Sequence, residues 1–293
     1  MNFWKNLLRL ETTPTRGEQL HFRIFELFTV VSVINFAWQW GFYIQQIGEV
    51  VLPLGIAQYI DISFMFDNGI SLVNAALMTL FCLLGFFRVF PRGAYAIAVL
   101  FFHLHYVSRF SLGEISHGSN FIGMSLLALA LALFFFNEPR FYQRFAFGFL
   151  FFFMGIGYTS AGVAKLIGTG ITWPDGAHLW LWIAERKVDV LSAGGTFSPN
   201  WIQELALENR FVSTLILTFG LLTEVLGFLL WFSKTRPYIA TALIGMHIGV
   251  YISMNIMFGV YILELLILGY PWGRWFDKFL MKYHVPVNKT SYT

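Results

Sequence analysis

The stretch FAFGFLFFFMGIGYTSAGVAKL, residues 145–166, decides the fold of this chain. Its one charged side chain is Lys165, and a run of about 20 apolar residues is what a helix needs to cross a bilayer. Similar runs lie at 25–44, 68–88, 93–110, 119–136, 211–232, 237–255 and 257–273. With 57% hydrophobic and 12% charged residues, the chain has too little polar surface to cover a soluble domain. We therefore predict an all-α, polytopic membrane helical bundle of about eight transmembrane helices.

Successive loops are alternately rich and poor in Lys and Arg, and this pattern predicts how the chain is oriented in the membrane. With the N-terminus inside, only five of the 19 Lys and Arg residues face outward: Arg109, Lys165, Arg186, Lys187 and Arg210. The others lie on or near the inner side: Lys5, Arg9, Arg16, Arg23, Arg88, Arg92, Arg140, Arg144, Lys234, Arg236, Arg274, Lys278, Lys282 and Lys289. By the positive-inside rule we expect both termini to be cytoplasmic, in a bacterial inner membrane.

We predict one domain over residues 1–293. It has a cytoplasmic N-terminal segment at 1–24, an outer cap loop at 167–210 and a basic cytoplasmic tail at 274–293. Gly and Pro residues interrupt the cap loop and the segment 47–66, which favours interfacial helices there. Trp173 and Trp182, with other tryptophans near the predicted boundaries, fit an aromatic belt.

Several function classes are disfavoured. The net charge of +3 comes from inner loops that face anionic lipid, and no basic aromatic patch indicates nucleic-acid binding. Cys82 is the only cysteine, so no intrachain disulfide is expected. His103 and His105 are two residues apart and point about 200° from each other on a helix, which disfavours a metal site. No nucleotide-binding glycine loop is present, so we expect neither a metal nor a nucleotide.

Lys165 is a candidate general base. Apolar surroundings strip water from an ammonium and so favour the neutral amine. On a helix Tyr158, Ala161, Gly162 and Lys165 share one face, where the small residues allow a flat ring or another helix to approach. Alternatively, Lys165 snorkels to the outer interface and Gly162 is a packing glycine.

His117 is a second candidate, in Ser116-His-Gly-Ser-Asn120 at the outer entry to the fourth run. A histidine at a helix entry exchanges protons near neutral pH, and its serine and asparagine neighbours can orient it. Alternatively, it is a loop histidine without a function.

Polar residues inside the later runs are candidates for lining a pocket. His247, Tyr251 and Asn255 recur every four residues and would form a polar stripe. Glu224 and Glu264 each need a partner or a proton within the bilayer, and Lys165, His247 and Arg109 are the candidate partners. Structural pairing is the alternative role for both glutamates.

Several segments together resemble a known family. Ala161-Gly-Val-Ala-Lys165-Leu, followed by Trp173-x-x-Gly176, is similar to the Ala-Gly-Val-x-Lys-Leu and Trp-x-x-Gly segment of vitamin K-dependent gamma-carboxylases. These enzymes belong to the HTTM (horizontally transferred transmembrane) family. Further segments match in the same order, over residues 20–272: Phe22-Arg23, Leu84-Gly85-x-x-Arg88, His117-x-x-Asn-Phe, Leu221-Leu-x-Glu-Val-Leu-Gly-Phe-Leu-Leu, and His247 with Gly259.

The resemblance implies a quinol-linked membrane enzyme. In the family, the matching lysine deprotonates a reduced quinone and the matching histidine assists, which assigns these roles to Lys165 and His117. The implied reaction oxygenates a menaquinone-like or vitamin K-like quinol to an epoxide through a strongly basic alkoxide. That base takes a proton from a glutamate so that carbon dioxide can add. By its length the chain resembles the stand-alone bacterial members, which lack the large water-exposed domain of the carboxylases.

Three hypotheses about function follow. The first is a quinol-linked enzyme with an outer-leaflet pocket lined by Tyr158, Gly162, Glu224, His247, Tyr251 and Asn255. The second is a non-catalytic subunit or maturation partner of another membrane or secreted protein, which would have no such cavity. The third is a small transporter with Glu224 and Glu264 on its path, which the lack of an inverted repeat disfavours.

Overall fold

The structure, a computed structural model, describes residues 3–46, 55–112 and 118–283. The predictions for His117, for the first part of the segment 47–66 and for the end of the basic tail lie outside these residues. Within the described part the chain is all-α and contains no strand. The helices are α1 (Phe3–Leu8), α2 (Arg16–Ile44), α3 (Ile70–Phe86), α4 (Ala94–Phe110), α5 (Gly118–Phe135), α6 (Pro139–Thr169), α7 (Gly176–Gly194), α8 (Trp201–Glu208), α9 (Arg210–Val225), α10 (Arg236–Met254), α11 (Gly259–Gly269) and α12 (Trp272–Tyr283).

The described helices include five that are long and apolar enough to cross a membrane. They are Arg16–Ile44, Gly118–Phe135, Pro139–Thr172, Arg210–Trp231 and Arg236–Met254, and the shorter apolar helices are Ile70–Phe86 and Gly259–Gly269. Every apolar run predicted from the sequence falls on a helix, and neighbours along the chain from α2 to α6 pack against each other. The predicted helical bundle is therefore confirmed.

The start of α2 is fixed by a capping box and by the C-terminal helix. The Thr15 hydroxyl accepts from the amide of Glu18, and the Glu18 carboxylate accepts from the amide of Thr15. Asp277 of α12 accepts from the Thr15 hydroxyl at 2.5 Å and from the Gly17 amide at 2.8 Å. The described first part of the predicted basic tail is thus a helix packed on α2.

Glu26, which was not among the predicted candidates, is a buried carboxylate that links α2 to α4 and to the turn after α3. Its side chain is fully buried and accepts from Arg88 at 2.5 and 3.0 Å, from Arg23 at 2.8 Å and from the Tyr95 hydroxyl at 2.8 Å. Both arginines therefore have a structural role besides their part in the charge asymmetry. A buried ion pair of this kind is costly to break from one side.

Helix α6 lies against α9 and the 3-10 segment Leu226–Trp231 that continues it. The Thr159 hydroxyl donates to the carbonyl of Val225 at 3.2 Å and accepts from the amide of Phe228 at 2.8 Å, which stabilises the change of winding. A Cβ atom at Gly162 would lie 2.8 Å from the backbone nitrogen of Val225. Gly162 therefore lets the two helices touch.

Candidate active site

The closest charged pair in this region joins α6 to α9. Lys165 Nζ donates to both carboxylate oxygens of Glu224, and the side chains are 31% and 12% exposed respectively. The ammonium also lies 5.1 Å from the centre of the Trp173 ring, a distance at which a cation is attracted to an aromatic face. Of the three predicted partners of Glu224, the structure selects Lys165. The contact exists because Gly162, one turn earlier on α6, allows the close approach described above.

A second polar pair lies on the same face of α6. The Tyr158 hydroxyl and His247 Nε2 are 2.8 Å apart, and both side chains are buried. The other ring nitrogen of His247, Nδ1, is buried and has no hydrogen-bond partner in the described part of the chain. Rings of Phe258 and Tyr261 pack on the imidazole, with centroids 4.9 and 5.3 Å from it. The imidazole therefore has one polar edge left for a ligand or a water molecule.

Both pairs line one cavity of about 550 Å³, which we name the Lys165 cavity. Its walls come from α5, α6, α7, α9, α10 and α11 and from the segment 255–258. The lining residues are Asn120, Phe121, Phe153, Gly157, Tyr158, Ala161, Lys165, Trp173, Leu179, Trp182, Ile216, Leu217, Phe219, Gly220, Glu224, Gly245, Met246, His247, Gly249, Val250, Ser253, Met254, Ile256, Phe258 and Tyr261. Its walls are mostly apolar with a few polar groups, which is the usual composition of a small-molecule site.

The structure separates some of the residues predicted to line this pocket. Tyr158, Glu224 and His247 do line it, and Gly162 is buried against α9 instead. Tyr251 is 45% exposed, and Asn255 is an exposed residue beyond the end of α10 with a positive φ of 54°. A step of four residues turns an α-helix by about 400°, which is about 40° more than a full turn. Tyr251 and Asn255 are therefore rotated progressively away from the cavity that His247 lines.

The other predicted candidates lie elsewhere. His117 falls outside the described residues, although Asn120, near the start of α5, lines the cavity. Arg109 lies over the ring of Tyr43, with its guanidinium carbon 4.3 Å from the ring centre. Glu264 is fully buried and accepts from the Ser125 hydroxyl on α5, a partner that the sequence reading did not consider. Its Oε2 atom has no partner in the described part of the chain.

The predicted cap loop contributes directly to the site. It contains α7 and α8, and Trp173, Leu179 and Trp182 from this region line the Lys165 cavity. The tryptophans expected only to anchor the chain therefore also form the wall around the amine. Tyr261 also lines the cavity and was not among the predicted pocket residues. Its one signal in the sequence is its position three residues before Glu264, one helical turn away.

Asp175 fixes the cap to the bundle. Its carboxylate caps α7 by accepting from the amide of Ala177 at 2.9 Å, and it pairs with Arg210, whose Nε lies 2.8 Å away. The adjacent Gly176 amide donates to the Thr214 hydroxyl of α9 at 2.9 Å. The hydrogen bonds from Arg210, with that from Ala177, lower the pKa of Asp175 to about 2. The cap is thus anchored at the start of α9.

A second cavity, of about 770 Å³, lies near the start of α6 and is named the basic cavity. Its charged lining residues are Arg9, Glu18, Arg144, Lys234, Arg236 and Arg274. From Arg144 to Lys165 the axis of α6 rises about 32 Å, close to the thickness of a hydrocarbon core. The two cavities therefore lie near opposite ends of the bundle.

No known protein family, curated protein or solved structure matches this chain.

Proposed function

We propose that this chain is a membrane enzyme that binds a reduced quinone in the Lys165 cavity and takes a proton from it. The proposal rests on one observation: an apolar cavity with aromatic walls is lined by the Lys165–Glu224 pair and by His247, whose Nδ1 has no hydrogen-bond partner among the described residues. The hypothesis of a non-catalytic subunit expected no such cavity. The HTTM-like segments add support because their lysine lies at this site.

The cavity fits a flat amphiphile. Phe121 and Tyr261 pack with their ring centroids 4.4 Å apart and, with Phe153, supply aromatic faces on which a fused ring can lie. His247 and Glu224 both line the cavity and would supply polar partners for the ring oxygens. The bound quinol would supply an acidic hydroxyl and two reducing equivalents.

The pair divides the work of proton transfer between two side chains. An ammonium that donates to a carboxylate has no lone pair with which to accept a proton, so the acceptor in the observed arrangement is Glu224. Lys165 holds that carboxylate in place and stabilises negative charge beside it. Lys165 becomes the base, as the resemblance implies, only after Nζ has passed a proton to Glu224. The aromatic walls exclude water from this exchange.

The proposed topology is that of a multi-pass protein of a bacterial inner membrane, with eight spans and a cytoplasmic N-terminus. Its support is the charge asymmetry of the loops, together with the helices found at every predicted run. In this orientation the Lys165 cavity faces the outer leaflet. Quinones dissolved in the bilayer would reach it from the side.

The test uses the purified full chain with a reduced short-chain menaquinone and oxygen. Binding is followed by quenching of tryptophan fluorescence and turnover by the formation of quinone epoxide. We expect saturable binding, and a loss of turnover of at least about a hundredfold in Glu224→Gln. Lys165→Arg keeps the ion pair and should retain turnover within about tenfold, while exposed Lys187→Ala is the matched control. A well-folded wild type that binds no reduced quinone would overturn the proposal.

One observation favours a transporter as the second candidate. The Lys165 cavity and the basic cavity both lie along α6, α10 and α11, and Glu264 lies between Tyr261, which lines the first, and Leu268, which lines the second. A buried carboxyl between two cavities is a common element of a proton path. Proteoliposomes containing an internal pH dye distinguish the candidates. Substrate-coupled proton uptake that Glu264→Gln abolishes would favour transport over catalysis.

A further inference from the structure

We infer that the basic cavity binds an anionic phospholipid, with the phosphate held by arginines and the first part of an acyl chain lying on phenylalanine rings. This lipid site is independent of the chemistry proposed for the Lys165 cavity. Five cationic side chains line the basic cavity, and Glu18 is its one carboxylate among the described residues.

Two of the cations, Arg144 and Arg236, are partly buried and are held by protein partners. Arg144, 11% exposed, donates to both oxygens of Glu18 at 2.9 and 2.7 Å. Its Nε atom is buried without a partner in the described chain. Arg236 donates from Nε to the carbonyl of Leu230 at 2.8 Å, and its guanidinium carbon lies 3.3 Å from the centre of the Phe151 ring. These contacts hold two positive charges in position without cancelling the excess.

The exposed cations at the rim have no carboxylate partner. The side chains of Arg9, Lys234 and Arg274 form no ion pair within the described residues. Burial lowers the pKa of Arg9, and the charges of Arg144 and Arg274 lower it further, while Glu18 raises it. Five cations around one carboxylate leave an excess of positive charge, which indicates a site for an anion.

The rest of the lining indicates a lipid as the source of that anion. Phe147, Phe151 and Leu268 form an apolar wall, and exposed Trp275 and Tyr238 lie at the rim, as aromatic residues do at a membrane interface. Gln143 is buried in the same cavity, and its Oε1 has no donor in the described part of the chain. A hydroxyl of a glycerol headgroup would supply one. An anionic headgroup bearing hydroxyls, such as phosphatidylglycerol, satisfies all three features.

The position of the cavity agrees with this ligand. It lies at the end of the bundle where the basic residues collect, and the inner leaflet is where such residues meet anionic lipid. It also joins α1, α2, α6, α10, α11 and α12 around one space. A lipid bound there would connect the two termini of the described chain to the centre of the bundle.

Native mass spectrometry of the delipidated full chain tests the inference. Phosphatidylglycerol, phosphatidylcholine and inorganic phosphate are titrated separately, and we expect phosphatidylglycerol to bind at least about tenfold more tightly than either. The double variant Arg9→Gln, Arg274→Gln should bind phosphatidylglycerol about 25-fold more weakly than wild type, at about fivefold per rim cation. Arg92→Gln is the matched control, because Arg92 is an exposed arginine bound to Asn137 outside the cavity.

Each outcome decides the matter. Equal affinities for the two lipids, or a double variant that binds like wild type, would overturn the anion site. Binding of inorganic phosphate as tight as that of the lipid would overturn the lipid assignment. If the double variant fails to fold, exposed Lys234→Gln with the same titrations takes its place, and an unchanged preference would again contradict the inference.

Discussion

Lys165 of α6 and Glu224 of α9 form an ion pair across a helix contact in which Gly162 leaves room for nothing larger than hydrogen. One glycine thus determines how close an ammonium and a carboxylate come inside an apolar bundle. The two residues belong to runs that lie far apart in the sequence, and both line the same cavity.

Removing one member of the pair should destabilise the protein more than removing both. Lys165→Met leaves a carboxylate that is 12% exposed without its partner, and we expect a loss of about 2–4 kcal/mol. The double variant Lys165→Met, Glu224→Met should recover most of that loss. Unfolding in detergent is measured for four purified proteins: wild type, Lys165→Met, Glu224→Met and the double variant. Strictly additive losses would show that the two side chains do not interact.

Gly162→Ala should separate α6 from α9. The added methyl would lie 2.8 Å from both the backbone nitrogen and a side-chain carbon of Val225, and overpacking of this kind costs about 1–3 kcal/mol. The matched control is Gly168→Ala on the same helix, where nothing lies within 4 Å of the new atom. Alanine is the better helix former, so the control should be neutral or stabilising by up to about 1 kcal/mol. Equal melting temperatures for the two variants would contradict the close contact.

Glu26→Ala should be among the most destabilising single substitutions. It removes the acceptor of two arginines and a tyrosine at a fully buried position, for which we expect about 3–5 kcal/mol. The comparison is Glu11→Ala, whose pair with Lys5 is exposed on both sides, with an expected effect of about 0.5 kcal/mol or less. Chemical unfolding measures the difference. A small effect at Glu26 would mean that its three partners find water instead.

The anchor of the cap should weaken in acid. Because the folded pKa of Asp175 is lowered to about 2, below the roughly 3.9 of an unfolded aspartate, its stabilisation is fully present above about pH 4. It is lost as the pH falls towards 2. Asp175→Asn keeps a good cap for α7 but lacks the charge that pairs with Arg210. The difference in melting temperature between wild type and Asp175→Asn should be constant from pH 5 to 7 and shrink towards zero near pH 2; a constant difference would contradict the pairing.

Single introduced cysteines should report the orientation. The native Cys82 is buried and should give no background labelling. Exposed Ser192 of α7 and exposed Lys278 of α12 lie on opposite sides of the proposed topology. A membrane-impermeant maleimide should label Ser192→Cys in intact bacterial cells and Lys278→Cys only after permeabilisation. The reverse pattern would invert the orientation.

Hydropathy was sufficient to predict where the helices lie, because length and apolar character are local properties. It missed where α2 begins, although Thr15 and Glu18 carry a capping signal, because both residues are polar. It also missed α12, which is amphipathic: its apolar and polar residues lie on opposite faces, so the mean hydropathy of the segment is close to neutral.

The candidate site was harder to predict, because it depends on which helix faces which. The partner of Glu224 was among three candidates, whereas the partner of Glu264 is a serine on α5 with no distinguishing signal in the sequence. Tyr251 does not line the cavity as predicted, because residues spaced by four are rotated progressively around a helix. The basic cavity could not be predicted either, because its cations come from parts of the chain that are remote in sequence.

The 3-10 segment Leu226–Trp231 supplies the backbone oxygen that holds one cation of the basic cavity. The carbonyls of its last turn accept from side chains that follow it: Leu229 accepts from the Thr235 hydroxyl at 2.7 Å, and Leu230 accepts from the Arg236 guanidinium at 2.8 Å. Because the Thr159 hydroxyl binds Val225 and Phe228 near the start of this segment, one stretch of backbone connects α6 to the guanidinium of Arg236 in the basic cavity.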